Sequence, residues 1–165
     1  MSIDKIQLRN AFGCFGTGVC VVTTSEEELW GRPLGMTINS FSSVSLDPPL
    51  LLWSIQNDSE VFEIFSQNNH FVINVLSASQ QLHSSQYAKK GDHELFPEHY
   101  HYSSLGCPIV QDALVSFECE QESLTRAGDH HIILGRIIRV HSSPEEPPLL
   151  FYKGQYHSLA GMDNA

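Results

Sequence analysis

The segment 32–55 concentrates side chains that can hydrogen-bond a small molecule. Thr37, Asn39 and Ser40 lie in a stretch that otherwise has the apolar character of a strand, and further serines follow them. After two prolines, residues 50–53 are continuously apolar and predict a fully buried strand. A polar strand beside a buried one would form a groove lined with hydrogen-bonding groups, which suits a flat, polar ring system.

Two shorter segments contain residue types suited to binding or catalysis. Asn57-Asp58-Ser59 precedes a predicted helix, where free backbone amides and a hydroxyl can hold a phosphate, although a plain helix cap explains the spacing equally well. Lys89 and Lys90 could offset the nearby acidic charge, but paired lysines at a helix end are commonly just solvated. Gly128-Asp129-His130 predicts a turn before a strand, and from its residues alone an ordinary turn with an exposed imidazole is the favoured interpretation.

Other familiar site patterns fit this chain poorly. Gly13, Gly16 and Gly18 end a predicted helix and open a strand, which is the reverse of the dinucleotide-binding order. The closest histidine pairs, 99/101 and 130/131, have no carboxylate or cysteine at a familiar ligand spacing, so we expect no dedicated metal site. A Ser-His-Asp hydrolase is disfavoured because there is no Gly-x-Ser-x-Gly motif.

Hydrophobic periodicity predicts the elements that must position these residues. We expect helices over 3–16, over 59–67 with Ser59 as its cap, and over 77–89 with a capping box formed by Ser77 and Gln80. Strands are predicted at 19–24, within 32–45, and at 50–53, 70–76, 114–120, 131–140 and 149–152, with a bulge or close backbone approach at Gly135. Residues 26–33 predict an exposed connection, and 90–108 an irregular loop that serves as a lid or faces a partner.

The element order indicates a mainly β protein. About seven strands and two or three short helices do not alternate, which disfavours a parallel doubly wound sheet and favours an antiparallel barrel with peripheral helices. No repeat or linker is visible, so we predict one domain over residues 1–165.

Charge and composition exclude several classes of partner. The net charge of −10 and the pI near 5.2 argue against duplex nucleic acid and anionic membranes. No signal peptide or membrane-spanning run is visible, which predicts a soluble, cytoplasmic protein. The four cysteines are then expected to be reduced, buried and free of disulfides.

Taken in order, these segments resemble the flavin reductase family, the short-chain NAD(P)H:flavin oxidoreductases that serve two-component monooxygenases. The resemblance covers roughly residues 5–159. The blocks that carry it are 12–24, 35–50 (GMTINSFSSVSLDPPL), 71–76, 117–120, 128–135 and 148–154.

The resemblance implies an antiparallel, Greek-key, FMN-binding split β-barrel that forms a homodimer with the flavin near the subunit interface. It places His130 near the nicotinamide as the catalytic residue. It implies flavin contacts along one strand, from Gly35, Met36, Thr37, Asn39 and Ser40, with Tyr156 closing the pocket. It brings Ser54, Asn57 and Ser59 to the flavin phosphate. Many relatives carry Asp-Arg-Phe after the second helix, where this chain has KKGDHELF, so either Lys89 or Lys90 replaces the arginine or phosphate is held more weakly.

The function implied is NADH- or NADPH-dependent reduction of free or loosely bound FMN or FAD by hydride transfer to flavin N5. The reduced flavin would pass to a partner monooxygenase or to oxygen. Two alternatives stay open: a non-catalytic flavin-binding or electron-transfer protein on the same fold, and an oxidase of the pyridoxamine phosphate oxidase type. The 128–130 block favours the reductase, because a carrier needs no group at the nicotinamide.

Overall fold

The computed structural model describes residues 3–26, 32–143 and 145–159. Alternating apolar and polar positions make much of this chain extended. In chain order, the strands of the described residues are β1 (Thr17–Gly18), β2 (Cys20–Glu26), β3 (Arg32–Ile38), β4 (Ser42–Leu46), β5 (Pro49–Gln56), β6 (His70–Val75), β7 (Tyr100–Tyr102), β8 (Pro108–Val110), β9 (Val115–Ala127), β10 (His130–Ser142), β11 (Leu150–Tyr152) and β12 (Gln155–His157).

Seven of these strands form one antiparallel sheet in the order β3-β2-β6-β9-β10-β5-β4. Two smaller sheets, β1-β11-β12 and β7-β8, lie outside it. The mainly β, antiparallel prediction is therefore confirmed. The strands are more numerous than predicted because the 32–46 segment is split in two, β7 and β8 form within the predicted loop, and short strands pair near both ends of the chain.

The helices are short and peripheral: α1 (Lys5–Phe12), α2 (Phe62–Gln67) and α3 (Gln81–Tyr87). A 3₁₀ turn at Ala78–Gln80 precedes α3, and the backbone N–H of Ser77 donates to Gln80 Oε1 at 3.0 Å, as the capping box predicts. Asp4 caps α1, since its carboxylate accepts from the backbone N–H of Gln7 at 3.0 Å. No described helix has the length and apolar character needed to cross a membrane.

Two clusters of apolar side chains flank the large sheet. The larger one surrounds Trp53, whose ring makes edge contacts with Phe65 at 5.2 Å and Phe71 at 5.8 Å between centroids. The second lies under α3 and includes Val21, Tyr87 and other buried side chains. Their burial, and not helix or strand propensity alone, fixes which face of each strand points inward.

The prediction of a fully buried strand at residues 50–53 is wrong. Leu51 and Trp53 are buried, whereas Leu50 and Leu52 are only half-buried. This alternation arises because one face of β5 packs on the core and the other does not. A continuous apolar run cannot reveal that asymmetry.

The prediction that Ser59 caps the second helix is also wrong. α2 begins at Phe62, and its N-cap residue, Val61, makes no side-chain cap hydrogen bond. Ser59 is instead in the turn that follows β5, where its backbone carbonyl accepts from the N–H of Phe62 at 3.0 Å. Its hydroxyl donates to Met36 Sδ at 3.8 Å, a weak acceptor on β3.

The predicted irregular loop 90–108 contains more order than expected. A 3₁₀ turn at Pro97–His99 leads into β7, which pairs with β8. The segment is anchored to α3 through Tyr87, whose fully buried hydroxyl accepts from the N–H of Phe96 and bonds His99 Nδ1 at 2.7 Å. Part of the exposed connection predicted at 26–33, residues 27–31, lies outside the described residues.

Gly135 behaves as predicted. The β9–β10 register shifts between Leu134 and Gly135, and a Cβ at this glycine would lie 2.5 Å from Phe71 Cζ. The bulge therefore coexists with a close approach of the buried aromatic core.

All four cysteines are free thiols. Cys20, Cys107 and Cys119 are buried as predicted, and burial raises the pKa of Cys20 and of Cys119 to about 12. Cys14 departs from the prediction because it is exposed at the end of α1, a helix with no buried residue.

Candidate functional site

A cavity of about 290 Å³ brings together most of the predicted site residues. Its walls come from β3 and the residues after it, from β5, and from the start of β10. The predicted residues among its lining are Met36, Thr37, Asn39, Ser40, Ser54, Ser59 and His130. Residues up to 94 positions apart in sequence therefore share one surface.

Sheet topology explains this convergence. β5 and β10 are paired neighbours, with Ile132 opposite Ser54 and His130 opposite Gln56. β3 lies at one edge of the sheet and β4 at the other, yet only residues 39–41 separate them in the chain. That short connection carries Asn39 and Ser40 from β3 across to the β5 side.

Two of the predicted hydroxyls are engaged within the protein. Thr37 Oγ1 donates to the carbonyl of Ser84 on α3 at 2.7 Å. Ser40 Oγ accepts from the backbone N–H of Ser54 at 3.0 Å and lies 3.2 Å from its carbonyl oxygen. These bonds fix the shape of the cavity wall, and each hydroxyl oxygen retains limited capacity for a ligand.

The outer edge of β3 offers backbone groups to the cavity. Gly35 N–H donates outward to His93 O at 2.8 Å, and Leu95 N–H donates to Pro33 O at 2.9 Å. Since alternate residues of an edge strand face the same way, the N–H and C=O of Thr37 also point outward. Among the described residues, no backbone partner outside the sheet ladder is recorded for Thr37, so its amide can meet a ligand.

His130 is held by its neighbour. Its Nδ1 lies 2.7 Å from Asp129 Oδ1, and this hydrogen bond, together with the charge of the imidazole, lowers the pKa of the Asp129 carboxyl. Because Nδ1 serves Asp129, Nε2 is the ring nitrogen left for a molecule in the cavity. The side chain is 37% exposed, which leaves it accessible to a ligand.

Two further cavities adjoin the first around Asn39. One of about 180 Å³ shares Thr37 and Asn39 and reaches Tyr156, whose hydroxyl bonds Ser84 Oγ at 2.8 Å. The other, of about 1050 Å³, lies between α1 and the β11–β12 hairpin and shares only Asn39 with the predicted set. It is the largest of the three, but its lining is mainly apolar, whereas the polar groups converge on the smaller cavity. We therefore place the site at the smaller one.

Five predicted residues lie outside the lining of this cavity, namely Tyr156, which lines the adjoining one, and four others. Gly35 makes room for Leu95, since a Cβ there would lie 2.6 Å from Leu95 Cδ2. Lys89 donates to Gln86 Oε1 at 2.9 Å, and Lys90 is exposed on the same turn. Asn57 follows β5 but directs its amide to the turn at 128–131.

Sequence reasoning missed three lining residues, Ile38, Ile55 and Gln56, and it missed Ser84 behind Thr37. The strand pattern could have predicted Gln56, because it lies two residues after Ser54 and therefore faces the same side of the strand. Ser84 carried no such signal, since only tertiary packing brings α3 against β3. Among the described residues, no three His, Cys, Asp or Glu side chains are placed to share a metal ion.

The donors and apolar groups present suit a flavin ring system. Ile38 and Ile55 supply apolar surface, while Asn39 and the outward amide of Thr37 supply donors and acceptors for a polar edge. None of these groups is a nucleophile next to a base, so the arrangement binds and orients more readily than it attacks. The cavity is thus built for positioning a flat, amphipathic molecule beside His130.

Comparison with known proteins gives consistent matches. Residues 12–160 match the family described as flavin reductase like domain. The chain is 42% identical over 149 residues to the FMN reductase (NADH) SmoA of Agrobacterium fabrum, covering 90% of this chain and 82% of that protein.

Two other matches extend the comparison. The chain is 38% identical over 160 residues to the reductase component of a flavin-dependent trigonelline monooxygenase from Acinetobacter baylyi, covering 96% of this chain but only 51% of that protein. It superposes with a TM-score of 0.89 and 34% identity on the Streptomyces globisporus NADH:FAD oxidoreductase SgcE6 solved with NAD and FAD fragments, covering 98% and 96% of the two chains.

Proposed function

Because this chain belongs to the flavin reductase family, we propose that it uses NADH to reduce FMN or FAD and releases the reduced flavin. Relatives named as NADH-dependent FMN and FAD reductases support both the nicotinamide and the flavin assignment. We infer that a flavin-dependent monooxygenase receives the product, as in the relative that is a monooxygenase reductase component.

One observation carries the site assignment: Asn39, Ser54, the outward amide of Thr37 and His130 converge on one cavity. We propose that Met36, Thr37, Asn39 and Ser40 line the flavin ring and ribityl chain. Ser54 and Ser59 lie on the same wall and would contact the rest of the nucleotide. Contact of Lys89 or Lys90 with the flavin phosphate stays a prediction.

Hydride passes from nicotinamide C4 to flavin N5, and the two ring systems supply the electronic chemistry of that step. The protein must hold the two rings face to face at reacting distance and exclude water between them. The fixed β3 edge sets the plane of the flavin, since its backbone amides cannot rotate away. The locked Ser40–Ser54 pair holds the opposite wall.

His130 is the proposed catalytic residue. Asp129 orients its imidazole through Nδ1, so Nε2 can donate to the nicotinamide carboxamide or to an oxygen of the flavin. A hydrogen bond from Nε2 to reduced flavin would also stabilise the negative charge that develops on the ring. Tyr156 lies across the adjoining cavity and would close the pocket beside Ala88 and Phe151.

We infer that two copies pair through α1 and the large cavity. α1 has no buried residue, and its apolar side chains face solvent. Ile6 and Phe12 are each 70% exposed, and Phe15, just after the helix, is 79% exposed. A helix this short is not stable by itself in water, so an apolar surface must cover it.

We also propose the split β-barrel for the whole chain as one domain. The edge strands β3 and β4 are joined by residues 39–41 alone, so Ile38 and Ser42 lie no more than about 14 Å apart. A seven-stranded sheet whose two edges come this close must be strongly curled. A cytoplasmic location is consistent with four free thiols.

An anaerobic assay tests the proposed function. The purified protein is mixed with FMN or FAD, NADH or NADPH is added, and the loss of oxidised-flavin absorbance is followed. We expect acceleration over the protein-free control, with NADH preferred. No acceleration with either nucleotide would reject the reductase in favour of a carrier.

The matched variant in that assay is His130→Ala. We expect it to slow flavin reduction by about 10²-fold while flavin affinity stays close to wild type, since it removes a group that acts on the reacting rings. Equal rates for the variant and the wild type would remove His130 from the mechanism while leaving the reductase activity itself intact.

A further inference from the structure

Asn57 joins the end of β5 to the turn between β9 and β10 through three hydrogen bonds. Its backbone N–H donates to Asp129 O at 3.0 Å, and its Nδ2 donates to Gly128 O at 3.1 Å. Its Oδ1 lies 2.7 Å from His131 Nδ1. Since the carbonyl of Gly128 can only accept, the amide orientation is fixed and His131 must donate from Nδ1.

The ring of His131 is fixed on a second side as well. It packs against Phe62 at the start of α2, with 4.8 Å between ring centroids. Consecutive residues of a strand point to opposite faces, so a fixed His131 also fixes the direction of His130. The pair formed by Asn57 and His131 is therefore mechanically linked to the imidazole that lines the cavity.

The sheet holds the end of the turn at His130, which pairs with Ala127 on β9 and with Gln56 on β5. Beyond that pairing, Asp129 is 94% exposed and Gly128 adopts a φ of +66°, so side-chain packing contributes little to the turn. In contrast, Asn57 follows Gln56, which itself lines the cavity opposite His130. Asn57 thus ties the turn to the cavity wall at the place where a small displacement would move His130 most directly.

We propose that Asn57 and His131 are positioning residues that hold His130 over the reacting rings, and that the Asn57 amide serves this turn instead of the flavin phosphate. The inference rests on the proposed role of His130. It concerns residues that touch neither flavin nor nicotinamide and act through the turn alone.

The primary test compares Asn57→Ala with the wild type in the anaerobic assay and in a flavin titration. We expect flavin reduction to slow about tenfold, because the imidazole is no longer held in register, with the flavin dissociation constant unchanged. His131→Phe serves as the second variant, since it keeps an aromatic ring against Phe62 and removes the Nδ1 donor together with Nε2. It should slow reduction in the same way.

Asn68→Ala is the matched control. The Asn68 amide is also half-buried and makes three hydrogen bonds, one more than the Asn57 amide: to Thr24 Oγ1, to Ser25 O and from the N–H of His70. It lies at the far end of α2 and does not line the cavity. We expect a similar loss of thermal stability with no change in the reduction rate; an equal slowing in this control would mean that the effect is general destabilisation and would overturn the proposal.

A spectroscopic readout is independent of activity. In long-range ¹H–¹⁵N spectra of the flavin-free protein, neutral His131 should carry its proton on Nδ1, the minority tautomer in solution. Asn57→Ala should shift it toward Nε2. Retention of the Nδ1 tautomer in the variant would contradict the assigned hydrogen bond.

The double variant separates this inference from the proposed function. If Asn57 acts through His130, Asn57→Ala should slow reduction no further in the His130→Ala background. A further slowing would show that Asn57 acts by itself, as a ligand contact would, and would overturn the inference while the role of His130 stands. If His130→Ala alone has no effect, the proposed role of His130 fails first.

Discussion

Asn39 lies where three cavities meet, and no hydrogen bond of its amide is recorded among the described residues. Thr37, only two residues earlier, has its hydroxyl bound to Ser84. The two side chains look alike in a sequence pattern, as polar groups on one strand. In the structure one is free for a ligand and the other supports the wall, so substitutions should separate their roles.

We expect Asn39→Leu to weaken flavin binding about tenfold, the equivalent of one net hydrogen bond of about 1.4 kcal/mol, with little change in thermal stability. The variant removes an amide whose donor and acceptor are available to the ligand while keeping a similar side-chain volume. Quenching of flavin fluorescence measures the dissociation constant. Unchanged affinity would remove this residue from the flavin site.

Thr37→Val is the contrasting variant. It removes one donor to the Ser84 carbonyl, which keeps the N–H of Ala88 as its other donor at 3.2 Å, so the loss of this single hydrogen bond should cost about 0.5 to 1.5 kcal/mol of unfolding free energy. Flavin affinity should fall less than in Asn39→Leu, because the backbone amide of residue 37 is retained. Urea unfolding and the same titration give the two quantities; a stable variant with strongly weakened binding would reverse the assignment.

At the scale of elements, α3 and the segment 93–111 are joined by aromatic and imidazole rings. The rings of His83 and His99 lie 4.0 Å apart between centroids, and Tyr87 bonds His99 Nδ1 from the buried side. The Tyr87 hydroxyl also accepts from the N–H of Phe96, so it bonds two residues of this segment at once. These side chains fasten the segment to α3.

This arrangement predicts an acid-sensitive stability. Burial, and then the neighbouring His99, lower the pKa of His83 from its ordinary value of 6.5. As the pH falls below about 6.5, the unfolded chain binds a proton at His83 that the folded chain does not yet bind, so stability decreases with decreasing pH. Asp112 opposes the shift without reversing it.

The matched variants are His83→Asn and His101→Asn, an exposed histidine of β7. Between about pH 7.5 and about pH 5.5, thermal unfolding should show a smaller loss of Tm for His83→Asn than for the wild type, since the titrating group is gone. His101→Asn should follow the wild type. A pH dependence that is identical in all three proteins would show that His83 does not contribute.

At the scale of the whole molecule, the exposed apolar face of α1 and the large cavity beside it lead to one expectation. The protein should be a dimer in solution, and Ile6→Glu should raise the dimer dissociation constant by about tenfold or more, because a buried isoleucine contributes about 1.5 to 3 kcal/mol. Analytical ultracentrifugation across a concentration series measures the change.

Leu82→Glu controls for that experiment. Leu82 is 82% exposed on α3, so this variant makes the same change, from an exposed apolar side chain to a charged one, at a site outside α1. We expect the control to associate like the wild type. A monomeric wild type, or equal weakening by both substitutions, would contradict pairing through α1.

The sequence by itself determined the chemistry and much of the local structure. The spacing of Thr37, Asn39 and Ser40, the capping residues Ser77 and Gln80, and the glycine at 135 each reflect short-range physics: strand alternation, helix-end hydrogen bonds and a close backbone approach. Such features depend on residues within a few positions of one another, so a pattern of residue types is enough to reveal them.

Only the tertiary structure decided which polar groups are free. The Thr37 hydroxyl is bonded to the Ser84 carbonyl, the Asn57 amide is bonded to the 128–131 turn, and Leu95 fills the space beside Gly35. Ser59 is released from the helix it was expected to cap. These outcomes depend on hydrogen bonds between residues 47 to 71 positions apart, which form only when the folded chain brings their elements together.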